Sequence, residues 1–146
     1  MAVSLLQAQT PKKVDPCALL TKEEIQEALG KPVGDGKPNT KANPSVGIPC
    51  EYVVGDYGAF SILVKPLGPI ETPDKIQSML AKMMKTADAP GIGDKSFFAF
   101  PGYGMVQLNT FKASRYLIIT MLVPGATEPA QKNAAKELML KALTRI

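Results

Sequence analysis

Three runs in the second half of the chain constrain its fold most. They are KSFFAF (95–100), GMVQLNTF (104–111) and RYLIITMLV (115–123), joined only by PGYG and KAS. Aromatic and β-branched residues in runs of this length favour strands. Links this short permit only antiparallel neighbours, because a parallel crossover needs a dozen residues or more. An earlier pair, CEYVV (50–54) and AFSILVK (59–65), flanks GDYG and reads as a second hairpin. There Phe60, Ile62 and Val64 alternate with Ala59, Ser61 and Lys65, so one face points inward.

Helix signals separate these groups. Thr21 and Glu24 in TKEE form a capping box, Leu20 and Ile25 supply a hydrophobic staple, and Ile25, Ala28 and Leu29 make an apolar stripe. Gly30 is expected to end that helix in the left-handed conformation. Thr72 caps a second helix, with Pro73 at its first position. Ile76, Met79, Leu80, Met83 and Met84 follow helical spacing and read as core filler. Thr127, Glu128 and Pro129 open a last helix that runs to about Ile146, with Ala135, Leu138, Met139 and Ala142 on its apolar face. The expected order is α-β-β-α-β-β-β-α. This is an α+β two-layer sandwich, an antiparallel sheet of about five strands with helices on one face.

The chain has 146 residues, 45% of them apolar and 21% charged, which suits one domain with a core of its own. Residues 15–146 are taken as that single α+β domain and 1–14 as a mobile lead-in. Within the lead-in, AVSLLQA looks like the end of a signal-peptide apolar region, with Ala8 at a cleavage position before QTPKK. The alternative is a frayed tail. Residues 31–49, KPVGDGKPNTKANPSVGIP, hold four prolines and three glycines and read as a long loop, functional or mobile, with room for a short strand.

Composition narrows the function classes. No run approaches the roughly 18–20 apolar residues of a membrane span. The balance of 17 basic and 13 acidic residues gives +4, but the lysines are scattered, so no nucleic-acid footprint is expected. There is no histidine and there are two cysteines, Cys17 and Cys50. Too few ligands remain for a zinc or iron–sulfur site, so no metal and no cofactor is expected. A lipid anchor at Cys17 is disfavoured by the charged Lys12–Lys13 and by Val14, Asp15 and Pro16 before it. A reactive thiol near a helix start would lack a histidine base. If the chain is exported, a structural disulfide Cys17–Cys50 is the reading left standing, and the chain-entropy model gives a loop of this size roughly 3–4 kcal/mol.

DPCALLTKEEIQEALGKPVG, then PCEY, then APGIGDKSFF, resembles a pattern found in small secreted proteins and lipoproteins of bacteria, best known in actinobacteria and grouped as a domain of unknown function. The pattern is also similar to that of the extracellular sensor domain of mycobacterial receptor Ser/Thr kinases. The matching positions are Pro16, Cys17, Leu19, Leu20, Thr21, Ala28–Gly30, Cys50, Tyr52 and Gly91–Asp94. The resemblance implies an extracytoplasmic α/β domain with its two cysteines paired and no catalytic residues. The chain lacks the anchoring cysteine of the lipoproteins and the cysteines for the second disulfide of the kinase sensor.

Other candidates are weaker. GIGDKS (91–96) matches no phosphate-loop spacing and precedes a strand, so it reads as a turn in which Asp94 accepts local backbone N–H groups. Glu51, Asp56, Glu71 and Asp94 could include a glycosidase-like pair, but nothing brings two together. Tyr57 and Tyr103 are expected at exposed hairpin tips and, with Asn39 and Asn43 of the 31–49 loop, form the candidate binding surface. The expected function is an exported, periplasmic or secreted, non-enzymatic binding or sensor-like module for a small molecule or envelope component. A protein-interaction or structural envelope protein without a pocket is the alternative, and a carboxylate-based hydrolase the third reading.

Overall fold

A computed structural model describes residues 13–43 and 47–146. A one-turn 3-10 helix, Pro16–Ala18, leads into α1 (Lys22–Leu29). Then come β1 (Lys37–Pro38), β2 (Cys50–Val54), β3 (Gly58–Pro66), α2 (Pro73–Ala81), β4 (Lys85–Asp88), β5 (Lys95–Gly102), β6 (Met105–Lys112), β7 (Arg115–Leu122) and α3 (Glu128–Leu143). The strands form one antiparallel sheet in the order β1-β2-β3-β7-β6-β5-β4.

The caps form as their sequences require. The Thr21 hydroxyl accepts from Glu24 N at 3.1 Å while Glu24 Oε1 accepts from Thr21 N at 2.9 Å. Gly30 then leaves the helix at φ 67°, a conformation that costs a side-chain-bearing residue more. Thr72 and Thr127 accept from Lys75 N and Ala130 N at the starts of α2 and α3.

The sheet has seven strands rather than about five. Both additions are short edge strands with weak sequence signals. In β1, Lys37 and Pro38 pair with Glu51 and Cys50, so part of the 31–49 loop runs along β2. In β4, Lys85–Asp88 pairs with β5. The helical pattern continues through Met83 and Met84, but α2 ends at Ala81 because the chain must turn back onto β5. Met79 within α2 and Met83 beyond its end are both exposed rather than core, and only Met84 of the three methionines packs inward.

On one face of the sheet Phe60, Ile62, Phe98, Val106, Leu108, Leu117, Ile119 and Met121 pack with Leu20 and Ile25 near α1 and with Ala135, Leu138, Met139 and Ala142 of α3. On the other face Phe97, Ala99, Phe111 and Tyr116 form a separate cluster under Ile76 of α2. Helices therefore cover both faces, not one. Consecutive strand residues point to opposite sides, so the adjacent Phe97 and Phe98 both need a cover.

Cys17 and Cys50 are bonded, with their Cα atoms 5.1 Å apart across a separation of 33 residues. The bond ties the 3-10 turn to the start of β2. Gly36 passes so close to it that an added Cβ would lie 2.6 Å from the Tyr52 ring and 2.8 Å from Cys50 Sγ. Tyr52 in turn donates its phenol proton to the Leu20 carbonyl at 3.1 Å. The expected lead-in 1–14 lies outside the described residues except for Lys13 and Val14, and Val14 packs against the first-face core. Among the described residues no helix is long and apolar enough to cross a membrane.

Candidate functional site

The sheet is wider than the helix that covers its second face. Nine residues of α2 span about 14 Å at ~1.5 Å per residue. Six gaps between seven strands span about 29 Å at ~4.8 Å each. With α2 over β4 and β5 and its cluster reaching Phe111 and Tyr116, the part of this face built from β1, β2, the first half of β3 and the end of β7 stays open, while further along β3 the buried Leu63 is covered by Gly47. A groove of about 610 Å³ occupies it.

Register explains what lines the groove. One row of directly paired residues crosses the whole sheet on this face: Lys37, Glu51, Ser61, Thr120, Gln107, Ala99 and Thr86. Its first four members line the groove, so a hydrogen-bonding strip runs along the floor. Beside it lies an apolar strip in which Val53 pairs with Ala59 and Ala59 with Leu122, with Met105 at its end. Val53 is 64% exposed, unusual for a strand valine in a sheet this well covered elsewhere.

The rim is charged but balanced. Asp35 pairs with Lys22 Nζ at 2.8 Å, and that contact, aided by Lys37, holds its carboxyl below the usual range. Glu51 accepts from Asn39 Nδ2 at 3.1 Å. Behind the floor, Tyr116 donates its phenol proton to Asn109 Oδ1, Asn109 Nδ2 donates to Gln107 Oε1 at 3.1 Å, and Gln107 Nε2 donates to Thr120 Oγ1 at 3.4 Å. Burial, reinforced by the Glu71 charge, pushes the Tyr116 phenol well above its ordinary value, so it keeps its proton.

The candidate residues do not assemble into one site. Tyr57 and Tyr103, 87% and 96% exposed, project from the same end of the sheet, each bordering a shallow depression that includes Pro124. Neither lines the groove. Asn39 touches it through Glu51, and its Oδ1 also accepts from Lys41 N at 3.1 Å. The Asn43 carbonyl accepts from Gly47 N, which packs on Leu63 of the same face, and Asn43 does not itself line the groove. Of the four carboxylates singled out, only Glu51 lines the groove; Glu71 accepts from Gly68 N at 2.7 Å. Asp94 accepts from Ala113 N across the fold, so GIGDKS clasps the β6–β7 turn instead of bonding only to itself. Three lysines do gather, contrary to the scattered pattern: Lys85, Lys132 and Lys136 lie over the Phe98 and Phe100 rings and cover the edge of the first-face core. Among the described residues no three acidic or sulfur side chains are placed to hold a metal ion.

Sequence reasoning missed Asp35, Lys37, Ser61, Thr120 and Gln107. Ser61 was legible as outward-facing, but its alignment with Thr120 and Gln107 depends on non-neighbouring strands meeting in a set register. No family model, curated protein or solved structure matches the chain.

Proposed function

We propose that the chain is an extracytoplasmic, non-enzymatic binding module whose ligand site is the groove on the second face of the sheet. The observation that carries this reading is the open half-face, where an apolar strip runs beside a hydrogen-bonding one. A volume of about 610 Å³ suits a small molecule or a segment of an envelope component. The disulfide supports an oxidising compartment, and the resemblance to secreted bacterial domains points the same way. The absence of catalysis in this reading is supported by a groove carboxylate. Asp35 is ion-paired and its carboxyl is held low, whereas a general acid needs a carboxyl pushed upward.

The test uses an environment-sensitive apolar dye such as Nile red. The folded protein should bind it, and Ala59→Trp, which fills the floor from an exposed position, should abolish binding while leaving the melting temperature within a few degrees. Undiminished binding to that variant would move the site elsewhere. A second reading, a protein contact surface, is favoured by Tyr57 and Tyr103 flanking Pro124 at one end of the sheet. It predicts that the Tyr57→Ala and Tyr103→Ala pair weakens partner capture without altering dye binding.

A further inference from the structure

The groove has a polarised centre. The hydrogen bonds behind its floor all run one way, from Tyr116 to Asn109 to Gln107 to Thr120. Each orientation is set by the one before. The Asn109 oxygen receives the phenol proton, so its nitrogen faces Gln107. The Gln107 oxygen receives that N–H, so its own nitrogen faces Thr120. Thr120 Oγ1 thus accepts an amide proton and keeps its own proton to give, and it lines the groove. Chains of this kind polarise their members, which strengthens the terminal donor. Among the described residues, neither the Thr120 nor the Ser61 hydroxyl donates to a protein acceptor.

We infer that the groove takes an apolar chain carrying a neutral hydrogen-bond acceptor, the carbonyl of an ester or amide, and that Thr120 Oγ1 is the donor that reads it. This rests on the groove being the binding site. The acceptor is neutral because the rim charges cancel, Asp35 against Lys22 and Glu51 beside Lys37, so a bare carboxylate meets no surplus of positive charge. The apolar part lies along Val53, Ala59, Leu122 and Met105, a strip about 14 Å long over three strand spacings. Tyr116 acts as a positioning residue, remote from the ligand and orienting the donor through two amides.

Two neutral ten-carbon amphiphiles test this, both used below micelle formation with the full chain. Decanoyl-N-methylglucamide carries an acyl carbonyl; decyl glucoside has no carbonyl and joins its chain to the sugar through an acetal oxygen. Calorimetry should show the glucamide binding about five- to tenfold more tightly, the worth of one hydrogen bond. Thr120→Val should bring the glucamide down to the glucoside level and leave the glucoside unchanged. Tyr116→Phe should narrow the ratio without changing glucoside affinity, a result that loss of packing alone would not give. Equal affinities in the unmodified protein, tighter binding of decanoate than of the glucamide, or equal loss of both probes in Thr120→Val would overturn the carbonyl inference while the groove still binds. If neither probe nor the dye binds, the groove reading falls and takes the inference with it.

Discussion

Protonating Glu24 should uncouple the two ends of the fold. Its Oε1 accepts from Arg145 Nη1 at 2.7 Å and from Thr21 N at 2.9 Å, and its Oε2 accepts from Arg145 Nη2 at 2.8 Å. Arg145 Nη1 also donates to the Leu19 carbonyl at 2.8 Å. The C-terminal end of α3 is thereby fastened to the start of α1. The Arg145 guanidinium, helped by the Thr21 N–H, holds the Glu24 carboxyl at about 2 against an ordinary 4.5. A carboxyl lowered by folding adds stability that is whole above pH 4.5 and drains away as pH falls toward 2. Unscreened, the difference is worth about 3 kcal/mol. The Arg145 side chain is 39% exposed, and solvent screening leaves about 1–2 kcal/mol.

Urea unfolding from pH 6 down to pH 2.5 measures it. Glu24→Gln keeps an oxygen for Thr21 N but removes the charge and the acceptor for Arg145 Nη2, so it should cost at least about 1–2 kcal/mol at pH 6 and almost nothing further at the acid end. The unmodified protein should lose that amount more than the variant across the window. Parallel curves for the two proteins would refute the argument, because the pH dependence would then belong to other carboxyls.

Removing the disulfide with Cys17→Ser and Cys50→Ser together should lower stability by about 3–4 kcal/mol and raise the urea m-value, since the unfolded chain expands; a loss below about 1 kcal/mol would show that β1 and the Tyr52–Leu20 contact already close the loop. At the β6–β7 turn, Ala113 and Ser114 sit at φ 51° and 64°, the pair of positive values that favours Asn-Gly. Ala113→Asn with Ser114→Gly should raise the melting temperature by a few degrees, about 0.5–1 kcal/mol, and a fall would contradict the turn assignment.

The elements legible in the sequence are those whose signals are local. The capping box at Thr21 and Glu24, the left-handed Gly30 and the alternation of Phe60, Ile62 and Val64 each need only a few neighbouring residues, and each is present. The pairing of Cys17 with Cys50 followed, for an exported chain, from two cysteines with no histidine base and no further metal ligands. The misreadings come from longer range. KTAD becomes β4 because β5 offers it an edge, and its own four residues carry no apolar alternation. The run from Ile76 to Met84 keeps helical spacing beyond the point where the chain has to reverse. SFFAF contained the two-faced demand that puts α2 opposite α3, but reading that demand needs the knowledge that both faces of β5 are interior. The row from Lys37 to Gln107 is legible least, because it is assembled from five strands in a set register.

The open half-face and the staple are parts of one arrangement. A nine-residue helix cannot cover seven strands, and the uncovered strands are those nearest β1, the shortest edge. A two-residue strand gives little backbone pairing to hold a groove wall. Cys50 is the β2 residue that pairs with Pro38, and Glu51 beside it pairs with Lys37, so the disulfide clamps the pairing that carries the rim. Because successive strand residues face opposite ways, the Cys17–Cys50 bond lies on the first face while Lys37 and Glu51 point into the groove on the second. The cross-link thus stiffens the wall from behind and leaves the groove clear. A chain selected for stability alone would gain more from lengthening α2 over the exposed Val53. The open strip and its anchored edge are consistent with the binding role proposed above, since a stiffened wall lowers the ordering cost of a ligand.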